Sequence, residues 1–390
     1  MNVPPPILLV PPASLLLPPS SRRRGAQPWL MASAVLVLAL APGAAGAQAP
    51  PAPPAPAERG LGAAERAAVV NALADALRAS YVLAEHAAGM EATLRSNLAA
   101  GRYDDCDHPA HLAEALTRDI RGVYDDKHLR VLGAAPERVH RAAGSERALR
   151  EAARWENYGF EKLERLAGNV GYLDFREFMR KDLAGDTAAA AMSFLADCNA
   201  LIVDLRRNGG GDPAMVAFLC SYLFGDEAVH LNDLYIRPEG RTEEYWTDPR
   251  VPGRKFGPDK PVFVLTSAFT FSGAEEFAYN LQARRRALLV GEVTGGGAHP
   301  TMPVALGHGL TAMVPFARAV NPVTGGNWEG TGVQPDVAVA ADQALMRAHY
   351  EAVAAIRASE HDPQRRRRLE EIAADLAAAL GLQPERASGR

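Results

Sequence analysis

The strongest constraint on this chain is a rhythm. Short apolar runs of strand length recur between stretches with helical spacing. The runs are NVGYLDF (169–175), ALIVDL (200–205), PVFVLT (261–266), ALLVGE (287–292) and LTAMVPF (310–316). Helix-like segments sit between several of them, at 186–198, 213–224 and 274–285. Strands interleaved with helices predict an α/β core. The flanks differ. Residues 62–122 read as helical, with Val69, Leu73 and Leu77 on one face, a second segment at 84–99 and a third at 109–122 after Pro109. That pattern predicts a small N-terminal helical bundle. HLRVL (128–132) alternates like a strand. Beyond Val339 the chain returns to helix, over 341–358 and 368–380. No internal repeat is visible.

Charge narrows the function classes. Lys+Arg total 42 against Asp+Glu 46, a net charge of −4, so broad attraction to nucleic acid is excluded. The one basic run, RRRR at 365–368, is followed by Glu370 and Glu371 and reads as a solvated helix face. Three cysteines (Cys106, Cys198, Cys220) allow at most one internal disulfide, and no Cys-x-x-Cys pair suggests a structural zinc.

The first sixty residues read as address and tether. Arg22-Arg23-Arg24, the apolar run 29–41 and Ala45-Gly46-Ala47 have the order of a secretory signal peptide cut near Ala47. Thirteen apolar residues fall short of the ~20 needed to span a bilayer. Residues 48–57 form a Pro/Ala linker. The expected division is a signal peptide (1–47), a linker (48–59), an N-terminal helical domain (60–124), a catalytic-type core (125–340) and a C-terminal helical tail (341–390).

Three places hold candidate chemistry. In 204–213 an apolar strand ends on Asp204, Gly209, Gly210 and Gly211 follow, and Asp212-Pro213 opens a helix. Asp suits the cap and proline the first helical position. The glycines let backbone N–H groups face an anion, although the spacing fits neither dinucleotide nor P-loop motifs. In Thr270-Phe-Ser272-Gly-Ala-Glu275 a strand leads into a helix. A serine on such a bend is presented to solvent with the Gly273 N–H beside it. The same four residues also satisfy a capping box, with Ser272 and Glu275 as partners. Ser267 is a second hydroxyl, ahead of the turn. The candidate bases are His128 and His299, and Glu329 lies in a Gly-rich loop.

Together, DKHLRV (126–131), NVGYLDF, LIVDLRRNGGG (201–211), TFSGAEEFAYNL (270–281), VGEVTGGGAHP (290–300) and NWEGTGVQPDV (327–337) resemble the tail-specific, or C-terminal-processing, serine protease family. The branch is similar to interphotoreceptor retinoid-binding protein and the tricorn protease core. The resemblance spans about residues 60–340 in the family's order. It implies a ClpP/crotonase-like α/β superhelix, with Ser272 as nucleophile and Gly273, Gly210 and Gly211 around the oxyanion. Many members carry a general-base lysine 25 residues after the serine; here that residue is Gly297. Tricorn-like members instead use an early histidine and a later glutamate, which implies His128 as base and Glu329 as its orienting group. Lys127 stands where those members have a serine. A PDZ domain is not expected, because only 36 residues separate Leu132 from Asn169.

Two functions follow. The first is a secreted or periplasmic serine endopeptidase acting on peptides or unfolded tails, with no metal or cofactor, no nucleic-acid partner and no stable membrane span. The second is a non-catalytic ligand-binding module resembling retinoid-binding repeats.

Overall fold

The computed structural model describes residues 60–133 and 145–382. The expected signal peptide and most of the linker lie outside the described residues. Three helices open the chain: α1 (Ala63–Ser80), α2 (Ala84–Ala99) and α3 (Pro109–Val123). Val69, Val70, Leu73, Ala74 and Leu77 form the buried stripe of α1, a spacing that turns one helix face inward. Pro109 at the first turn and the His108 ring, which accepts from the Ala110 N–H, start α3. This bundle packs on a small antiparallel sheet of β1 (Arg130–Leu132) and two later strands, 310–315 and 301–307.

After α4 (Glu146–Trp155) the chain enters a six-stranded sheet. Its first strands are β2 (Phe160–Leu166) and β3 (Val170–Phe175), followed by α5 (Lys181–Leu195), β4 (Ala200–Asp204) and α6 (Pro213–Ser221). The hairpin β5 (His230–Ile236) and β6 (Arg241–Trp246) then leaves the sheet, and β7 (Val262–Thr266), α7 (Gly273–Ala283) and β8 (Leu288–Gly291) return to it. Next come β9 (Thr301–Gly307), β10 (Leu310–Pro315), β11 (Ala317–Val320) and β12 (Val337–Ala338). Helices α8 (Ala344–Ser359) and α9 (Pro363–Ala379) close the described chain.

The large sheet runs β12-β8-β7-β4-β3-β2, parallel except for the β2–β3 hairpin. Its central strands β3, β4 and β7 are buried along their whole length, because helices cover both faces. Alternate residues serve opposite cores. Leu173, Leu201, Val203 and Val264 pack under α5, α6 and α7, while Tyr172, Ile202, Phe263 and Leu265 pack under α8 and α9. A mixed α/β fold with an N-terminal helical region is thus present, as the sequence predicts.

Some boundaries differ. Helix α9 begins at Pro363, where the Asp362 carboxylate accepts from the Gln364 and Arg365 N–H groups. Arg365 to Arg368 are exposed on it, and Arg368 pairs with Glu371 at 3.1 Å. Cys106, Cys198 and Cys220 are all free thiols. Among the described residues no helix is long and apolar enough to cross a membrane.

Candidate active site

Strand β7 ends in the core, and the chain reverses through 267–271 before α7 begins. The turn is tied down from inside. Ser267 Oγ donates to the Arg206 carbonyl at 2.6 Å, and Thr270 Oγ1 donates to that of Leu205 at 2.8 Å. Ser267 is therefore a buried structural hydroxyl. Ser272 follows at the helix cap with φ 57° and ψ −123°. A left-handed backbone at a non-glycine residue costs about 1–3 kcal/mol and persists only where the surroundings enforce it.

Glu275 supplies much of that enforcement. It is fully buried and its carboxylate takes four donors. Oε2 accepts from the Ser272 N–H at 2.8 Å and the Gly297 N–H at 2.9 Å, and Oε1 from Thr294 Oγ1 at 2.5 Å and the Gly296 N–H at 2.6 Å. Burial raises its pKa, against the pull of those four donors. Glu275 thus staples the serine turn to the 294–297 loop. Ser272 and Glu275 stand in the expected capping box; its hydrogen bond is the one from the Ser272 N–H to Glu275, and among the described residues the Ser272 hydroxyl makes no cap hydrogen bond.

The glycine turn after β4 lies against this bend. A Cβ on Gly210 would stand 2.7 Å from the Ser272 Cβ, the Gly273 nitrogen and the Phe271 carbonyl oxygen. Gly210 also sits at φ 98°, so only glycine fits without strain. Its N–H donates to Asn208 Oδ1 at 2.8 Å, so that donor is engaged within the loop. Gly211 is different. Among the described residues its N–H meets no acceptor, and a Cβ on Gly273 would lie 3.0 Å from its nitrogen. The Gly273 N–H, at the first turn of α7, is unpaired by helix geometry. Two free amides therefore flank Ser272. As expected, Asp212 caps α6, accepting from the Ala214 N–H at 2.9 Å.

His128 comes from the segment between α3 and β1. Arg121 on α3 holds that segment by donating to the carbonyls of Asp126, Lys127 and Leu129. The His128 ring packs against Phe271, with centroids 4.5 Å apart. A Cβ at Gly297 would stand 2.6 Å from His128 Cε1 and closer still to the Phe271 ring. The space beside Gly297, 25 residues after Ser272, is thus filled by the imidazole and the phenyl ring. Burial depresses the His128 pKa to about 4, outweighing the nearby Asp126 carboxylate, so the ring is neutral at pH 7.

His299 occupies a different place. It is 2% exposed, with Nδ1 2.7 Å from Asp126 Oδ2 and 3.6 Å from Glu329 Oε2. Asp126 is fully buried and links the two histidines: its Oδ1 accepts from the His128 N–H at 3.0 Å. Tyr81, the residue that caps the end of α1, donates to Oδ2 at 3.2 Å. Burial favours protonation of Asp126, but His299 outweighs it and the pKa is lowered. Glu329 accepts from the Ala298 N–H at 2.6 Å, and burial raises it to about 7. Atoms of Asp126, His299 and Glu329 lie within 4.8 Å of one another, close enough to share a cation, and the Asp126–His299 hydrogen bond accounts for their approach on its own.

Ser272, Gly273, Gly211 and His128 line one cavity of about 930 Å³, shared with Lys127, Glu276 and Tyr245. His299, Glu329 and Glu275 stand behind its wall. Asp126 and Glu276 carry no separate signal in the sequence. Asp126 lies two residues before His128 in an acidic pair, and Glu276 follows a glutamate already assigned to capping.

The chain matches two family descriptions back to back: "N-terminal domain of Peptidase_S41 in eukaryotic IRBP" over residues 63–166 and "Peptidase family S41" over residues 169–339. A solved putative peptidase from Parabacteroides merdae is similar in fold, with TM-score 0.52 and 18% identity over 75% of this chain and 96% of that one. A photosystem II D1 C-terminal processing protease matches at TM-score 0.48 and 17% identity, over 71% and 94% of the two chains. The chain belongs to peptidase family S41 and is a serine-type peptidase.

Proposed function

We propose that the protein is an endopeptidase acting through an acyl-enzyme on Ser272, with His128 as general base. One observation carries the reading: a serine hydroxyl free of its own helix, held on a strained bend between two unpaired amides, in a cavity that a neutral histidine also lines. Ser272 Oγ attacks the scissile carbonyl and its proton passes to His128. The Gly273 and Gly211 N–H groups receive the oxyanion. His128 returns the proton to the leaving amine as the C–N bond breaks, and water, deprotonated by the same ring, hydrolyses the ester. Nδ1 of His128 is buried without a partner among the described residues, which favours Nε2 as the working nitrogen. Asp126, fixed by His299 and Tyr81, holds the His128 backbone, and Glu329 supports His299. The polypeptide substrate follows from the family, and the expected extracytoplasmic location rests on the order of residues 22–47.

The test is cleavage of a denatured-protein pool by the wild type, Ser272→Ala and His128→Ala. Ser272→Ala should abolish cleavage, and His128→Ala should lower kcat by about 10²–10⁴-fold. Equal cleavage by Ser272→Ala would defeat the assignment.

A further inference from the structure

We propose that Glu276 forms the floor of a subsite that selects substrates with a cationic side chain, an ammonium or guanidinium, on the acyl side of the scissile bond. The inference rests on Ser272 being the nucleophile and names the substrate class of that same cavity.

Glu276 lies one helical turn beyond Ser272 on α7, lines the cavity and is 5% exposed. Among the described residues its Oε1 is buried without a hydrogen-bond partner. Asn232, on β5, is fully buried, and both polar atoms of its side chain also lack partners. Asn280, the next turn of α7, presents an unpartnered Nδ2, while its Oδ1 accepts from Asn321 at 3.0 Å. Buried polar atoms without partners are rare in folded proteins. Here the Asn232 and Asn280 amides face one carboxyl, that of Glu276, which alone of the three lines the substrate-sized cavity.

The occupant is set by what these atoms need. Glu276 Oε1 and Asn232 Oδ1 are acceptors. An ammonium offers three donors and a guanidinium five, and neither is an acceptor. A neighbouring carboxylate strengthens the case: burial raises Glu276 to about 8, and Asp212 pushes it the same way, against the Asn232 and Asn280 amides. A carboxyl kept protonated for want of a counter-charge ionises when a cation docks, and its proton leaves to solvent. The cavity's own cations, Lys127 and Arg130, come from the His128 segment and are not among the groups acting on Glu276.

The wall fits a long aliphatic stem. It is the β11–β5–β6 sheet, in which Leu234 pairs with Ala319 on one side and Glu243 on the other, and Ile236 pairs with Ala317. Leu234, Ile236 and Tyr245 line the cavity and suit the methylenes of lysine or arginine. Asn232 pairs with Tyr245 on the same sheet, so the apolar wall and the group facing Glu276 belong to one strand pair.

The test uses matched peptides that differ only at the acyl-side residue: lysine, norleucine or glutamate. The wild type should favour lysine over norleucine by about tenfold or more in kcat/KM, with glutamate lowest. Glu276→Gln, of the same shape, should bring the lysine-to-norleucine ratio towards one. A wild-type ratio near one, or a ratio unchanged in Glu276→Gln, overturns the subsite while Ser272-dependent cleavage leaves the proteolytic reading standing. If Ser272→Ala cleaves as well as the wild type, the proteolytic reading falls. Fluorescence anisotropy of labelled lysine and norleucine peptides on Ser272→Ala still decides the subsite: tighter lysine binding supports it and equal affinity overturns it. The wild-type ratio and this binding comparison also decide it should Glu276→Gln not fold.

Discussion

Replacing Gly297 with alanine adds one methyl group at a crowded point of the active site. That carbon would stand 2.6 Å from His128 Cε1 and nearer to the Phe271 ring, whereas carbon atoms rest about 3.5–4.0 Å apart. Gly297 does not use the left-handed region, so no backbone strain is added and the rings must move. His128 must retreat by about 1 Å. A misplacement of that size costs about 10²-fold in rate, or ~2.7 kcal/mol at ~1.36 kcal/mol per decade. Overpacking costs a further ~1–3 kcal/mol of stability. Steady-state kinetics on a peptide substrate, with calorimetry on the same preparations, separates the two. The expected result is a folded variant with kcat/KM about a hundredfold lower. Gly297→Lys should be at least as inactive, because its side chain enters space already held by His128 and Phe271. A folded Gly297→Ala with wild-type kcat/KM would refute the placement of the base.

Three further outcomes follow from the site. Because burial lowers the His128 pKa to about 4, kcat/KM on a norleucine peptide, which does not call on Glu276, should hold as pH falls through 6 and decline only near pH 4, where the base protonates; an acid limb at pH 6–7 on that peptide would contradict the assignment. Glu275→Gln keeps the shape but offers one acceptor oxygen to four donors, leaving buried N–H groups unpaired; at ~1–3 kcal/mol each, calorimetry should show a loss of roughly 2–5 kcal/mol, and a change below about 0.5 kcal/mol would remove the staple argument. Glu276 is raised from 4.5 to about 8, so the folded state holds the extra proton between those values and stability falls as pH climbs through them. Glu276→Gln lacks that slope and should gain on the wild type between pH 5 and 8, by up to roughly 5 kcal/mol from the linkage; parallel stability curves would exclude the buried, ionisable carboxyl.

Elements with one dominant environment were legible in the sequence. Strands β3, β4 and β7 are buried on both faces, so their apolar runs stand out, and α1 to α3 carry clear stripes. Strands β5 and β6 were not. HLNDLYI places Asn232 in the interior, and RTEEYW is a largely exposed hairpin arm with charged residues, so neither forms an apolar run. The serine turn was legible because β7, Ser272 and α7 are contiguous. The roles of Asp126 and His299 were not, since 173 positions separate two side chains that meet only through tertiary packing. Gly210 and Gly211 looked equivalent as letters. One hydrogen bond, donated by the Gly210 N–H to Asn208 Oδ1, distinguishes them, and composition carries no trace of it.

The clasp around Asp126 has a consequence for how the enzyme comes into being. Tyr81 at the end of α1 and Arg121 from α3 hold the stretch that bears His128, while Ser272 waits on the other half of the polypeptide. In the proposed mechanism, neither half holds both the nucleophile and its base. A chain whose helical bundle has not docked would present Ser272 without the imidazole that the proposed mechanism assigns to it.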